Sequence, residues 1–177
     1  SQPIVANHVA KWDGEGWVEV AGGIENESTE GLLRLAVLTD AAGTSLFAWD
    51  YGTELLRLVG GVWSEIAWGV DGAARELASY DDGGGPAIFR SGTFSNGIEK
   101  LVGGSWATVL PQSSSGEGWR GYSIAAFASA SGSYLYAAGY FDLPSSPATS
   151  HVRRWNGASW SAPLGPGSRL FAVRGSM

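Results

Sequence analysis

The chain has 177 residues, of which 44% are hydrophobic and 16% are charged, and its 17 acidic against 11 basic residues give a formal charge of -6. This composition excludes a disordered acidic tail, and the negative balance repels phosphate backbones, so nucleic acid is not an expected partner. No run of residues approaches the length of a membrane span, and the absence of cysteine excludes disulfides and zinc–cysteine sites. We therefore expect one folded domain over residues 1–177, with no membrane-spanning segment.

Four similar hairpin sequences follow one another along the chain. They are KWDGEGWVEV (11–20), RLVGGVWSEI (57–66), KLVGGSWATV (100–109) and RWNGASWSAP (154–163). Their second tryptophans are Trp17, Trp63, Trp106 and Trp160, which are spaced by 46, 43 and 54 residues. A period of this size is typical of one propeller blade or one solenoid turn.

The segments between these hairpins predict two further strands in each repeat. The first is apolar and rich in alanine: LRLAVLTD (33–40), RELASYDD (75–82) and SIAAFASA (123–130). The second follows across a glycine-containing turn: SLFAWDYG (45–52), AIFRSGTF (87–94) and YLYAAGYF (134–141). Each repeat is therefore predicted to hold four strands, and no segment shows a sustained helical period.

The turn residues of the four hairpins favour tight reversals. Asp13-Gly14, Gly60-Gly61, Gly103-Gly104 and Asn156-Gly157 are dipeptides that tolerate a positive φ at both central positions of a type I′ or bulged turn. The flanking tryptophans are then neighbours on paired strands and can cover the adjacent sheet. We assign a structural role, packing between sheets, to Trp12, Trp17, Trp63, Trp106, Trp155 and Trp160.

Hairpins of the form Lys/Arg-Trp-Asp/Asn-Gly-x-x-Trp, alternating with these strands, resemble the tandem propeller repeats of large secreted or surface proteins of bacteria and, more distantly, kelch-type propellers. The two middle hairpins depart from the pattern with Val59 and Val102 in place of the first tryptophan. The resemblance implies an all-β, propeller-like fold of four-stranded antiparallel blades, about three full blades plus parts of a fourth. The sequence repeats are approximately 8–52, 53–97, 98–150 and, in part, 151–177.

The resemblance also implies an extracellular or cell-surface location, and it places the alanine-rich strand innermost in each blade. On that basis RLFAVRG (169–175) is an inner strand without its following partner. We therefore expect a longer native chain, or an assembly in which another subunit covers part of this one.

The connections between strands vary most at one face of the predicted blades. The segments joining an outer strand to the next inner strand, and the second strand to the third, differ in every repeat, and both types emerge on the same face of an up-and-down blade. The candidate binding residues in these segments are Glu25, Glu27, Trp68, Asp71, Trp119, Arg120 and Asp142. Rim packing is an equally good interpretation of these side chains.

Other candidate sites have simpler structural interpretations. Asp81 and Asp82 could hold Ca²⁺, but their position predicts an Asx turn in an inner hairpin, and the spaced aspartates of a calcium loop are absent. His8 and His151 occupy matching places in HVAKW and HVRRW, which repetition explains better than metal ligation. We expect no metal and no cofactor.

Three functions remain open from the sequence. The leading prediction is a non-catalytic module that binds a protein or glycan through the variable loop face. The alternatives are a hydrolase or lyase of the propeller type, and a structural accessory subunit of a larger complex.

Overall fold

The computed structural model describes residues 6–24, 34–49, 54–68, 74–92, 97–110, 120–130, 132–143 and 146–161. Within these ranges the chain consists of β-strands, turns and irregular segments, without a helix. The prediction of an all-β fold is confirmed.

The strands follow the predicted segments closely. They are β1 (Ala10–Trp12), β2 (Trp17–Glu19), β3 (Arg34–Asp40), β4 (Gly43–Trp49), β5 (Glu54–Val59), β6 (Val62–Trp68), β7 (Ala74–Asp81), β8 (Pro86–Gly92), β9 (Ile98–Val102), β10 (Ser105–Leu110), β11 (Arg120–Ser129), β12 (Gly132–Leu143) and β13 (Ser146–Trp155). Alternation of apolar and polar side chains within short runs, bounded by glycine-rich turns, accounts for these strands.

The strands form four antiparallel sheets, each built from consecutive strands. The first sheet is β1–β2, the second β3–β4–β5–β6, the third β7–β8–β9–β10 and the fourth β11–β12–β13. An isolated bridge between Trp155 and Trp160 extends the fourth sheet beyond β13. Because the sequence repeats start at a hairpin, each complete sheet combines the inner strands of one repeat with the hairpin of the next.

Three apolar clusters join consecutive sheets. Val9 and Ile24 pack with Ala48 and Trp63 between the first and second sheets. The second cluster includes Phe47, Trp49, Leu55, Ile88 and Trp106, and joins the second and third sheets. The third cluster includes Phe89, Ile98, Leu135 and Trp160, and joins the third and fourth. The core is therefore a series of layers between stacked sheets, stabilised by burial of apolar side chains.

All four predicted hairpins have the same register. The residue five positions before each second tryptophan is its cross-strand partner: Trp12 pairs with Trp17, Leu58 with Trp63, Leu101 with Trp106 and Trp155 with Trp160. The second tryptophan therefore holds an equivalent position in each hairpin. The same register corrects one assignment: Leu58 and Leu101, rather than Val59 and Val102, stand in the place of the first tryptophan.

The turns of these hairpins have two conformations, so the prediction of a positive φ at both central residues is correct for two hairpins and wrong for the other two. Gly60-Gly61 has φ of 60° and 82°, and Gly103-Gly104 has 58° and 82°, as a type I′ turn requires. In the Asp-Gly and Asn-Gly turns only the glycine has a positive φ. There the Asp13 carboxylate accepts hydrogen bonds from the N–H groups of Glu15 and Gly16, and Asn156 Oδ1 makes the equivalent pair with Ala158 and Ser159. These backbone hydrogen bonds lower the pKa of Asp13.

The second tryptophan contacts the preceding sheet in three of the four hairpins. Trp63 Nε1 donates to the carbonyl of Val20 at 3.3 Å, and Trp160 Nε1 donates to that of Val109 at 3.5 Å. Trp106 packs in the cluster with Phe47 of the second sheet. The first hairpin has no preceding sheet among the described residues, and its Trp12 and Trp17 are 56% and 55% exposed, so the prediction that these two side chains pack between sheets is wrong.

Two glycines in equivalent turns give a matched test of this packing. Gly14 and Gly157 have φ of 107° and 97°, so alanine is strained at both, by about 1–2 kcal/mol. A Cβ at Gly14 meets nothing within 4 Å, whereas at Gly157 it lies 2.1 Å from the carbonyl oxygen of Asp82. We expect Gly157→Ala to lower the free energy of unfolding by about 1–3 kcal/mol more than Gly14→Ala, because the hairpin must move away from the third sheet. Urea denaturation followed by circular dichroism measures the difference, and equal losses would contradict this contact.

Candidate functional site

The antiparallel order divides the turns and connections between two edges of each sheet. The short turns after β3, β5, β7 and β9 lie at one edge, here called the hairpin edge. The segments joining β4 to β5, β6 to β7, β8 to β9 and β10 to β11 leave from the opposite edge, here called the connection edge. Arg34 Nε donates to the carbonyl of Arg75 at 2.5 Å where β3 and β7 begin, and the Tyr80 hydroxyl donates to the carbonyl of Ser133 at 3.0 Å at the hairpin edge. Like edges of the second, third and fourth sheets therefore lie side by side.

The candidate binding residues belong to the connection edge by their place in the chain. Trp68 is the last residue of β6, Arg120 is the first of β11, and Asp142 lies next to the end of β12. Glu25, Glu27, Asp71 and Trp119 fall outside the described residues. Trp68, Arg120 and Asp142 therefore all lie at the connection edges of their sheets. A binding role for the seven candidate residues stays a prediction.

The connection edge is also where the strand ladders lose their regular register. The five irregularities among the described pairings occur at Leu55/Leu56, Ala74/Glu76, Thr108/Leu110, Gly121/Ser123 and Phe141/Leu143. All five lie close to the strand ends at this edge, whereas the pairings next to the hairpin turns are regular. A bulge redirects side chains and increases local twist, which is a common device beside binding and active sites.

Some of these irregular positions also have a structural role. The carbonyl of Arg75 accepts the hydrogen bond from Arg34 of the second sheet, and the carbonyl of Val109 accepts the one from Trp160 of the fourth. Both residues lie inside a register shift, where a carbonyl is free to leave the ladder. The irregular edge therefore also links neighbouring sheets.

Asp81 and Asp82 lie at the hairpin edge, in the turn between β7 and β8, as expected. Asp81 Oδ1 accepts hydrogen bonds from the N–H groups of Gly83 and Gly85 at 2.8 and 3.0 Å, which is an Asx-type turn. Asp82 Oδ1 accepts a hydrogen bond from the N–H of Gly84 at 3.2 Å and also makes a salt bridge with Lys100, whose Nζ lies 2.7 Å from it. The two carboxylates therefore have different partners, consistent with their interpretation as turn residues.

The two histidines differ in local structure despite their matching sequence contexts. His8 lies in a bend before β1, with φ of 68°, and its Nδ1 is 2.9 Å from the carbonyl of Ile24. Because a carbonyl only accepts, Nδ1 carries the proton in this contact. His151 lies within β13 opposite Gly139. The backbone around His8 is thus set by the Ile24 segment rather than by a strand.

A charged pair that sequence reasoning missed is buried between the second and third sheets. Arg90 on β8 and Glu99 on β9 are cross-strand partners, and their side chains are 2% and 3% exposed. Arg90 Nε donates to Glu99 Oε2 at 2.6 Å, and the NH2 nitrogen contacts the same oxygen. The guanidinium carbon lies 4.8 Å from the ring centroid of Trp49 and 4.3 Å from that of Trp106.

This arrangement holds the arginine by an ion pair on one side and by two aromatic faces on the others. The two indoles meet edge to face, with centroids 5.7 Å apart. Cation–π contacts of this kind strengthen when water is excluded, and the ion pair compensates the cost of burying both charges. The sequence carried one signal for it: the alternation in AIFRSGTF places a charged residue among buried positions.

A second polar contact links the third and fourth sheets. The Tyr80 hydroxyl donates to Ser133, and burial raises the pKa of Tyr80, with the carboxylates of Asp82 and Asp81 contributing in the same direction. Burial also lowers the pKa of Arg153 on β13. Tyr80 serves the contact between sheets and lies away from the connection edge, whereas Arg153 Nε donates to the carbonyl of Ser161 beside its own sheet.

Over the described ranges, no three potential metal-ligating side chains come together. The same part of the chain has no helix long and apolar enough to cross a bilayer. Comparison with known proteins finds no family model, no curated protein and no solved structure that matches the chain significantly.

Proposed function

We propose that this chain is a propeller-type module that binds a protein or glycan without catalysis, through its connection edge, at the cell surface or outside the cell. The propeller arrangement is supported by the order of the strands. Each sheet is a meander of consecutive strands, and the first strands β3, β7 and β11 lie next to one another, β7 contacting both neighbours. Innermost first strands are what a radial arrangement of blades requires.

The single observation that carries the binding proposal is the concentration of irregular structure at the connection edge. All five described register shifts lie there, and so do the strand ends that bear Trp68, Arg120 and Asp142. Repeat scaffolds place variable segments on one face and bind through them, while the regular face maintains the fold.

The buried charges support a non-catalytic role. Arg90 and Glu99 neutralise each other inside an aromatic layer between sheets, where a substrate has no access. Asp81 and Asp82 are occupied with turn amides and Lys100. These charged groups therefore have structural partners that account for them.

The glycan form of the proposal is tested on a glycan array with labelled protein. We expect bound glycans whose signal falls by at least about tenfold in Trp68→Ala and in Arg120→Ala, since aromatic and arginine side chains dominate binding energies. Val62→Ala is the matched control, because Val62 is 61% exposed at the hairpin edge. Loss of binding in Val62→Ala alone would contradict the proposal.

The protein form is tested by photo-crosslinking on intact cells of the source organism. A crosslinking amino acid is placed at Trp68 in one variant and at Val62 in another. We expect a discrete adduct from position 68 and none from position 62. Adducts from neither position, together with an array that binds nothing, would overturn the proposed function.

A structural accessory role is the second candidate. It is favoured by uncovered apolar side chains: Trp12 on the first sheet and Phe127 on the fourth are each about half exposed, and so are Leu35 and Val37 on β3 of the second sheet. Such a subunit keeps a permanent partner, so it would purify as a stable complex from its native source.

A further inference from the structure

An exposed pair of tryptophans covers the outer side of the first sheet. Trp12 and Trp17 are 56% and 55% exposed, and their rings meet edge to face with centroids 5.9 Å apart. Val9 and Val20 pack toward the second sheet, so the alternation of strand side chains directs the two tryptophans to the opposite side. We call this surface the tryptophan face.

The other hairpins show what a surface of this kind contacts. Trp106 packs in one cluster with Phe47 of the preceding sheet, and Trp160 packs in one cluster with Phe89 of the preceding sheet. Phe47 and Phe89 hold equivalent places, because each pairs with the basic residue that precedes the hairpin, Arg57 or Lys100. Two of the three internal interfaces therefore share one rule: the second tryptophan lies in one apolar cluster with the aromatic residue of the sheet before it.

The far side of the fourth sheet offers that same aromatic position, and no further sheet follows it among the described residues; the predicted strand at 169–175 lies outside them. Tyr136 pairs with Arg154, as Phe47 does with Arg57. Phe127 lies on the same side, 47% exposed, with its ring centroid 6.3 Å from that of Tyr136. The guanidinium of Arg154 lies 4.4 Å from the ring of Tyr134. We call this surface, defined by Phe127, Tyr134, Tyr136 and Arg154, the tyrosine face.

We propose that two copies of this chain associate head to tail, with the tryptophan face of one on the tyrosine face of the other. The contact repeats the interface between the second and third sheets, with Trp17 in the place of Trp106 and Tyr136 in the place of Phe47. Charge supports the pairing, since Glu19 lies beside Trp17 on one face and Arg154 lies on the other. Because the two faces differ, the interface is heterologous, and a bound pair leaves one tryptophan face on one copy and one tyrosine face on the other.

Sedimentation velocity over a concentration series tests the proposal with the intact chain. We expect the wild-type mass to rise with concentration above that of an 18.5 kDa monomer. Two variants block one face each: Trp12→Ala with Trp17→Ala, and Phe127→Glu. Each alone should weaken association by at least about tenfold. The control is Val102→Ala, an equally exposed valine at the hairpin edge, and it should associate like the wild type.

Mixing the two blocked variants gives the sharper result. Each supplies one intact face, so the mixture should form a species of two chains and none larger. A wild-type chain that stays monomeric throughout the series would overturn the proposal. The tryptophan face would then bind something other than a second copy of this chain. Association of Phe127→Glu alone would also overturn it, since it would show two tryptophan faces in contact. Circular dichroism checks each variant for folding, and Phe127→Ala replaces Phe127→Glu if the charge unfolds the sheet.

Discussion

Glu99→Ala is expected to lower the free energy of unfolding by about 3–5 kcal/mol, because it leaves the guanidinium of Arg90 buried without its counter-charge. Both side chains are almost completely inaccessible, so water cannot replace the lost carboxylate. The rings of Trp49 and Trp106 hold the cation by their faces, which offsets only part of the loss. Urea denaturation followed by circular dichroism measures the change.

Asp82→Ala is the matched control for this prediction. It removes a carboxylate from the ion pair between Asp82 and Lys100 on the same sheet. The side chains of Lys100 and Asp82 are 18% and 14% exposed. Solvent screens this pair more, and we expect a loss of about 1 kcal/mol. The double change Arg90→Met with Glu99→Leu should recover most of the stability, because apolar residues of similar volume remove both buried charges together. A Glu99→Ala variant as stable as Asp82→Ala would contradict the structural role of the buried pair.

Trp49→Ala is expected to cost about 3–5 kcal/mol, the loss typical of a fully buried aromatic side chain. Trp49 is inaccessible, meets Trp106 edge to face and contacts the arginine cation, so its removal leaves a cavity in the layer between two sheets. Thermal unfolding followed by circular dichroism gives the shift in midpoint.

Trp12→Ala is the comparison within the same residue type. Trp12 is 56% exposed on the first sheet, and its truncation should change the free energy of unfolding of the monomer by no more than about 0.5 kcal/mol. The measurement is made at a protein concentration low enough to keep the chain monomeric. Equal losses for the two variants would mean that Trp12 is covered in solution by part of the same chain.

The sequence by itself determined the strands and the turns between them. Gly60-Gly61 and Gly103-Gly104 lack the Cβ that disfavours a positive φ, so the chain reverses there whatever surrounds it. The alternation of apolar residues on either side then fixes strands of predictable length, and the shared spacing of the hairpins fixes their common register. These are local properties, and a local pattern is sufficient to predict them.

The backbone conformation of the Asp-Gly and Asn-Gly turns was less predictable from the sequence. Asp13 and Asn156 were expected to adopt a positive φ, but their side chains accept two backbone N–H groups instead. A short polar side chain has both options, and hydrogen-bond geometry within the turn selects between them.

Only the tertiary structure decided which tryptophans are covered and which charges are buried. Trp17 and Trp106 have the same register in their hairpins, yet Trp106 packs on the second sheet while Trp17 is more than half exposed. The position of Arg90 among apolar residues hints at burial, but only the fold pairs it with Glu99 across the strands and places the second sheet over both. Burial depends on whether another sheet lies against a given side of the strand, and that is a contact between distant parts of the chain which a periodic sequence pattern does not contain.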